Sequence, residues 1–300
     1  MRRMQKKIIT VILCLALLLC GCAAKKDEAS DKLNVAVTIF PEYDFVRAVA
    51  DDKVNLKLLI DPGTEAHSFD PAPSDIIAVE NSDLFIMIGG ESDEWARKLI
   101  SGAEKPVYVL NMMDSVDLLL EDGEEEYDEH IWTSPSNAQK MVAAVCDALC
   151  GLDNANADFY RANAEDYISE IEGVKHSIKQ VTEKAKQKFI LVADRFPFKY
   201  LTNEFGIDYF AAFGGCALDT DISIKTMGRL ITESEKHGCK AAFYVEMSNR
   251  DIANALSEQT GVSLLQLHSA HNVTLDDFKA GKTYVDIMRD NARALERGMS

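Results

Sequence analysis

The sequence predicts an α/β protein of two lobes, each a parallel β-sheet covered by helices, joined by one long helix. In the first half of the chain, short apolar runs alternate with amphipathic segments, which is typical of strands and helices that build a parallel sheet. A proline-free amphipathic segment follows, and then the same alternation resumes. Two such halves joined by one helix imply a cleft between the lobes.

The first alternating region predicts an N-terminal lobe over residues 33–154. Strands are expected at 33–39, 54–60, 84–88 and 107–110, with helices at 41–50, 74–81 and 94–100. Ser134 and Pro135 predict the N-cap and first residue of a further helix that runs to Leu149, because serine is a favoured cap and proline a favoured first residue.

A linking helix is predicted over residues 155–188. This stretch lacks proline, has Gly173 as its only glycine, and repeats apolar residues at spacings of three and four. At 1.5 Å per residue, about 30 helical residues would span roughly 45 Å. A coiled-coil segment is the alternative, but a single pass flanked by α/β pattern favours a linker.

The remaining residues, 189–300, predict a C-terminal lobe. Strands are expected at 189–193, 208–213, 241–246 and 263–267. Helices are expected at 198–204, 224–237, 251–259 and 283–297.

The N-terminus resembles a lipoprotein signal peptide over residues 1–21. Four basic residues precede an apolar run at 8–19, which is too short to span a membrane comfortably. Leu19-Cys20-Gly21-Cys22 resembles the bacterial lipobox, which implies cleavage before Cys22, lipidation of its thiol and a lipidated tether over 22–32. The expected location is the outer face of the bacterial cell membrane. An uncleaved anchor or a plain secretory peptide is the alternative.

The net charge limits the partners to be expected, and the cysteine positions limit the kinds of metal or redox site. The net charge is −17, and removal of residues 1–21 would make it −21, so nucleic acid is not an expected partner. Cys146 and Cys150 lie four apart on a predicted helix, which suits buried small side chains better than a bridge. A disulfide between Cys216 and Cys239 stays open, and the lack of a Cys-x-x-Cys motif disfavours a cysteine-based zinc or redox site.

Two histidines in proline-bearing loops are the main candidates for chemistry. His67 lies in Pro-Gly-Thr-Glu-Ala-His-Ser-Phe-Asp-Pro, and His130 in Asp-Glu-His-Ile-Trp-Thr-Ser-Pro. Neutral imidazole is the commonest protein ligand for transition metals, so both are predicted metal ligands, with core or capping roles as the alternative. No catalytic motif such as His-Glu-x-x-His occurs, and the chain is not expected to be an enzyme.

These motifs resemble those of the zinc/manganese ABC-transporter solute-binding lipoproteins, bilobal proteins with a rigid linking helix. The resemblance rests on the two histidine loops together with Phe198-x-Tyr200 and Tyr284-x-x-x-Met288-x-x-Asn291. It implies a metal site in the interlobe cleft, with His67 and His130 contributed by the first lobe. It also implies capture of a divalent metal for an ABC permease and its ATPase.

The second lobe departs from the family pattern. Arg195 stands where members carry histidine or glutamate, and a protonated guanidinium has no lone pair for a metal. The ligand role has therefore been lost or has passed to Asp194. Arg195 is alternatively expected to pair with a carboxylate such as Glu246.

Three residues near predicted strand ends are candidates for the remaining ligands. By resemblance, His271 falls nearest to the family's last ligand, and His268 is a second ligand or a neighbour of the site. Glu246 ends a predicted strand and is a plausible fourth ligand, although a helix cap or an ion-pair partner fits equally. His176 and His237 are not expected to be ligands.

The predicted ligand set favours zinc. Three imidazoles with one carboxylate suit Zn²⁺, whereas more oxygen ligands would suit Mn²⁺, the alternative. The acidic segment 121–129 could attract divalent ions loosely, but a solvated loop is the favoured interpretation. A metal-dependent hydrolase and an adhesin-like surface protein are the competing functions.

Overall fold

The structure, a computed structural model, describes residues 32–65, 69–102, 106–121, 125–215 and 223–300. The predictions for the signal peptide, for lipidation of Cys22 and for His67 lie outside the described residues. The same holds for Cys216 and for the tether up to residue 31. The described body, Leu33–Ser300, forms one compact unit.

The first sheet contains four parallel strands in the order β2-β1-β3-β4. The strands are β1 (Leu33–Val37), β2 (Val54–Leu58), β3 (Leu84–Met87) and β4 (Tyr108–Asn111). The accompanying helices are α1 (Phe40–Ala50), α2 (Pro73–Glu80), α3 (Glu94–Gly102) and α4 (Pro135–Leu152). Every predicted strand and helix of this lobe is present.

The predicted end of β1 was two residues too long, for a local reason. The Glu42 carboxylate accepts hydrogen bonds from the backbone N–H groups of Thr38 (2.9 Å) and Ile39 (3.1 Å). These bonds satisfy donors at the start of α1, so the chain leaves the strand after Val37 and turns into the helix.

The long helix, α5, runs over Ala157–Lys184 and is 28 residues long. Its predicted start was early, because Asn154–Asn156 form a 3₁₀ turn, and its predicted end was late, because the backbone is extended at Ala185. One stripe of the helix is buried, as the three-and-four spacing predicted: Ala157, Tyr160, Ala164, Tyr167, Ile171, Val174, Ile178 and Thr182.

The second sheet repeats the first, with four parallel strands in the order β6-β5-β7-β8. The strands are β5 (Phe189–Val192), β6 (Asp208–Ala211), β7 (Ala241–Tyr244) and β8 (Ser263–Gln266). The helices are α6 (Lys199–Phe205), α7 (Ile224–His237), α8 (Asp251–Thr260), α9 (Leu275–Lys279) and α10 (Tyr284–Gly298). The sequence interpretation missed α9, a short helix whose N-cap Thr274 accepts from the N–H of Asp277.

The largest apolar cluster of the described residues draws on both sheets and on α5. It includes Val35 of the first sheet, Ile171 on α5, and Phe243 of the second sheet. The two-lobe α/β prediction is therefore confirmed, with the helix packed into a shared core. Within the described ranges, no helix has the length and apolar character to cross a bilayer.

Two carboxylates are buried at the carboxyl edge of the first sheet, and they give a pH-dependent stability. Burial and the Glu129 charge raise the pKa of Asp93 to about 6, despite a hydrogen bond from the Gly89 N–H. Burial, with the neighbouring Asp93 charge, raises the pKa of Glu42 well above its usual value.

We expect the Asp93→Asn substitution to reveal this effect. An unfolded aspartate titrates near pH ~3.9, so between about pH 4 and 6 only the folded state keeps the Asp93 proton. The free energy of unfolding of the wild type should therefore fall, relative to that of D93N, as pH rises through this window. The expected change in this difference is on the order of 1 kcal/mol or more, since one pKa unit is about 1.4 kcal/mol. Urea melts of both proteins at a series of pH values measure it, and parallel curves would contradict it.

Candidate metal site

His130 is fully buried in the loop that precedes α4. Its Nδ1 lies 3.2 Å from Asp128 Oδ1, and the same oxygen accepts a hydrogen bond from the His130 backbone N–H at 2.8 Å. A carboxylate acceptor favours the tautomer with the proton on Nδ1, which puts the ring lone pair on Nε2. This carboxylate–imidazole arrangement is the one that orients histidine ligands in metal sites.

The charge environment favours a cation at His130. Burial, the largest single influence, disfavours the charged ring, but Asp128, then Glu129 and Glu121, outweigh it and raise the pKa of His130 above its usual value. The same negative field that stabilises a proton on the ring would stabilise a metal ion beside it.

The motif aromatics hold this loop in place by hydrogen bonds. The Tyr200 hydroxyl donates to the Asp128 carbonyl at 2.8 Å, and the Trp132 indole N–H donates to the Ser269 carbonyl at 2.7 Å. The Tyr284 hydroxyl donates to the Trp132 carbonyl at 2.7 Å. Residues that carry the sequence resemblance thus position the His130 loop against the second lobe.

Candidate residues of the second lobe follow the carboxyl ends of its strands. Arg195 follows β5, Glu246 follows β7, and His271 follows β8. The carboxyl ends of parallel strands meet at one edge of a sheet, where α/β proteins bind ligands. These three residues and His130 line one cavity of about 30 Å³, a volume suited to an ion or a water molecule.

The two imidazoles in the cavity lie close together. The ring centroids of His130 and His271 are 5.6 Å apart, and the Trp132 ring lies 5.4 Å from the first and 5.1 Å from the second. Two imidazoles on one tetrahedral Zn²⁺, with Zn–N bonds of about 2.0–2.1 Å, have centroids about 5 Å apart. The spacing is therefore compatible with a shared ion.

Gly215 lets the second lobe approach His130 this closely, and the sequence interpretation missed it. A Cβ at this glycine would lie 3.0 Å from His130 Cε1 and 3.1 Å from the Phe196 carbonyl oxygen. The missing side chain leaves room for the imidazole at the cavity wall.

Glu246 is held by hydrogen bonds within its own lobe. The Ser269 backbone N–H donates to Oε2 at 2.7 Å and the Ser269 hydroxyl donates to Oε1. His268 Nδ1 lies 3.5 Å from Oε2 and accepts from the Ala270 N–H at 2.9 Å. The lone pair on this His268 nitrogen is engaged, and His268 does not line the cavity.

Asp194 is likewise tied to the backbone. It accepts hydrogen bonds from the N–H groups of Arg195 (2.8 Å) and Val245 (3.4 Å), and it does not line the cavity either. The structure therefore brings together His130, His271 and Glu246 of the predicted set, and keeps Asp194 and His268 outside the cavity wall.

Arg195 pairs with a carboxylate, as the alternative expectation held, but the partner is not Glu246. Arg195 Nη2 lies 3.1 Å from Oε2 of Glu65, a residue of the first lobe that the sequence interpretation passed over. Glu246 instead accepts hydrogen bonds from the backbone N–H and the hydroxyl of Ser269. Among the described residues, no three His, Cys, Asp or Glu side chains lie close enough together to hold a metal ion as they stand.

The remaining histidines make other contacts. His176 Nε2 lies 2.9 Å from the Gln180 side chain on the exposed face of α5. His237 stacks on Phe189 and lies 3.3 Å from Glu233 near the end of α7. Neither lines the cavity.

Comparison with known proteins places the chain in a family. Residues 35–298 match the family model described as ZnuA, zinc-uptake complex component A, periplasmic. The zinc-binding lipoprotein AdcA of Streptococcus pneumoniae is 29% identical over 98% of this chain, which spans 61% of the length of AdcA. The high-affinity zinc uptake system protein ZnuA of Bacillus subtilis is 27% identical over 92% of each chain.

The fold agrees with a solved structure from the same group. The Zn(II)-bound ZnuA-like domain of Streptococcus pneumoniae AdcA is 28% identical to this chain, with a TM-score of 0.78. The similarity covers 89% of this chain and 99% of that domain. With the family model matched over nearly all of its two lobes, this chain belongs to the ZnuA family of zinc-uptake components.

Proposed function

We propose that this protein is an extracytoplasmic receptor, anchored by a lipid on Cys22, that captures a divalent metal and delivers it to an ABC permease. The observation that carries the proposal is the pair of imidazoles, His130 and His271, at 5.6 Å in one small cavity between the strand ends of the two lobes. Family membership supports a role in uptake, since the matching model is that of a zinc-uptake component. The permease and its ATPase are the proposed partners.

The proposed ligands are His67, His130, His271 and Glu246. Asp194 and His268 are weaker candidates, because backbone hydrogen bonds engage the Asp194 carboxylate and one ring nitrogen of His268. Imidazole-rich coordination favours Zn²⁺ over Mn²⁺ as the transported ion. The relatives AdcA and ZnuA are named for zinc binding and zinc uptake, which supports zinc as the transported ion.

Calorimetric titration of the chelator-stripped protein, residues 23–300, with Zn²⁺ and Mn²⁺ in parallel tests the proposal. We expect one tight zinc site, weaker manganese binding, and loss of the tight site in His271→Ala. The absence of a tight site for either ion would contradict the proposal. Retention of wild-type affinity in H271A would remove His271 from the ligand set.

A further inference from the structure

The cavity contains a second carboxylate, Glu65, which comes from the first lobe. Glu65 lies in the loop that follows β2, and it lines the cavity together with His130 and His271. Glu246 lines the same cavity from the second lobe, and the two carboxylates differ in their surroundings.

The backbone that leads to Glu65 is held by the second lobe. The buried amide of Asn272, next to His271, donates to the carbonyl oxygens of Asp61 (2.9 Å) and Thr64 (2.8 Å). Two hydrogen bonds from one amide fix the direction of this short segment. The Glu65 side chain thus leaves a backbone that is anchored beside a proposed ligand.

Arg195 fixes the other end of the same side chain. Its Nη2 lies 3.1 Å from Glu65 Oε2, with the Arg195 side chain 19% exposed and that of Glu65 43% exposed. Ion pairs this close to solvent add little to stability. A carboxylate has about four lone-pair sites, so the contact with the guanidinium does not by itself prevent metal ligation.

Glu246 is the more constrained of the two carboxylates. Both of its oxygens accept hydrogen bonds from Ser269, and its side chain is only 7% exposed. Glu65 is more exposed, at 43%, and a side chain holds its tip. Carboxylate oxygens bind Zn²⁺ at about 2.0–2.2 Å, and a ligating carboxylate commonly keeps a hydrogen-bond donor as its partner.

We propose that Glu65 supplies a carboxylate ligand to the captured ion and that Arg195 is the positioning residue that directs it. Arg195, which cannot itself bind a metal, then contributes through the side chain it holds. The inference rests on the proposed function, because it names a further ligand of that same site.

Cobalt substitution tests the ligand role, because Co²⁺ absorption in the visible range reports the donor set directly. We expect Glu65→Gln to weaken Co²⁺ and Zn²⁺ binding at least tenfold and to change the Co²⁺ spectrum. Glu65→Asp, which keeps the carboxylate, should retain a spectrum close to that of the wild type. Glu170→Gln removes one carboxylate from a distant exposed ion pair with Arg289 and should change neither quantity.

A double-mutant cycle tests the positioning role. If Arg195 acts through Glu65, Arg195→Met should change the Zn²⁺ dissociation rate at least threefold in the wild-type background and leave it unchanged in the E65Q background. Arg289→Met is the matched control. Equal effects of R195M in both backgrounds would overturn the positioning role.

The outcomes separate this inference from the proposed function. If the wild type binds Co²⁺ and Zn²⁺ tightly and E65Q gives the same spectrum and affinity, Glu65 is not a ligand and the inference alone fails. If the wild type binds neither ion, both fail.

Discussion

His130→Ala is expected to weaken zinc binding by at least a hundredfold, about 2.7 kcal/mol. The imidazole is fully buried, its tautomer is set by Asp128, and three carboxylates favour a cation at its position. Alanine removes the nitrogen donor and provides no other ligand at this position. Competition with a fluorescent zinc chelator measures the dissociation constant.

Two further variants serve as comparisons for the zinc affinity of H130A. Asp128→Asn keeps the imidazole and removes the charged acceptor, so a smaller loss of roughly tenfold is expected. His176→Ala makes the same substitution on the exposed face of α5 and should leave zinc affinity unchanged. If H130A bound zinc as tightly as H176A, His130 would not be a ligand.

Of the substitutions proposed, Trp132→Ala should produce the largest loss of stability, about 3–5 kcal/mol in the free energy of unfolding. The ring is fully buried, and its indole N–H makes a 2.7 Å hydrogen bond across the lobes to the Ser269 carbonyl. Alanine leaves a cavity and an unpaired Ser269 carbonyl. A loss of stability of this size corresponds to a fall of about 10 °C in Tm. Because Trp132 also packs against His130 and His271, zinc affinity should fall with it.

Two tryptophan variants make this prediction specific. Trp132→Phe keeps most of the volume and removes the N–H, so a loss nearer 1–2 kcal/mol is expected. Trp95→Ala deletes a partly buried ring that contacts Phe69 in the first lobe and should cost less than W132A. Equal urea midpoints for W95A and W132A would contradict the assigned role of Trp132.

The order of strands and helices could be predicted because local pattern encodes it. The apolar stripe of α5 is visible in its spacing, whereas the end of β1 was predicted two residues too late because Glu42 accepts from the N–H of Thr38 and turns the chain into α1. The candidate histidines His130 and His271 were also visible, because imidazole chemistry and loop position are properties of the sequence.

Partner choice among the polar residues was decided only by the tertiary structure. Arg195 pairs with Glu65 and not with Glu246, because Ser269 holds both Glu246 oxygens within their own lobe and the Asn272 amide holds the Glu65 loop against the second lobe. These contacts join residues from opposite lobes, far apart in the chain. The sequence determined which side chains have the chemistry to bind a metal. The packing of the two sheets determined which of these side chains line one cavity, because the distances between residues far apart in the chain are not encoded in any local pattern.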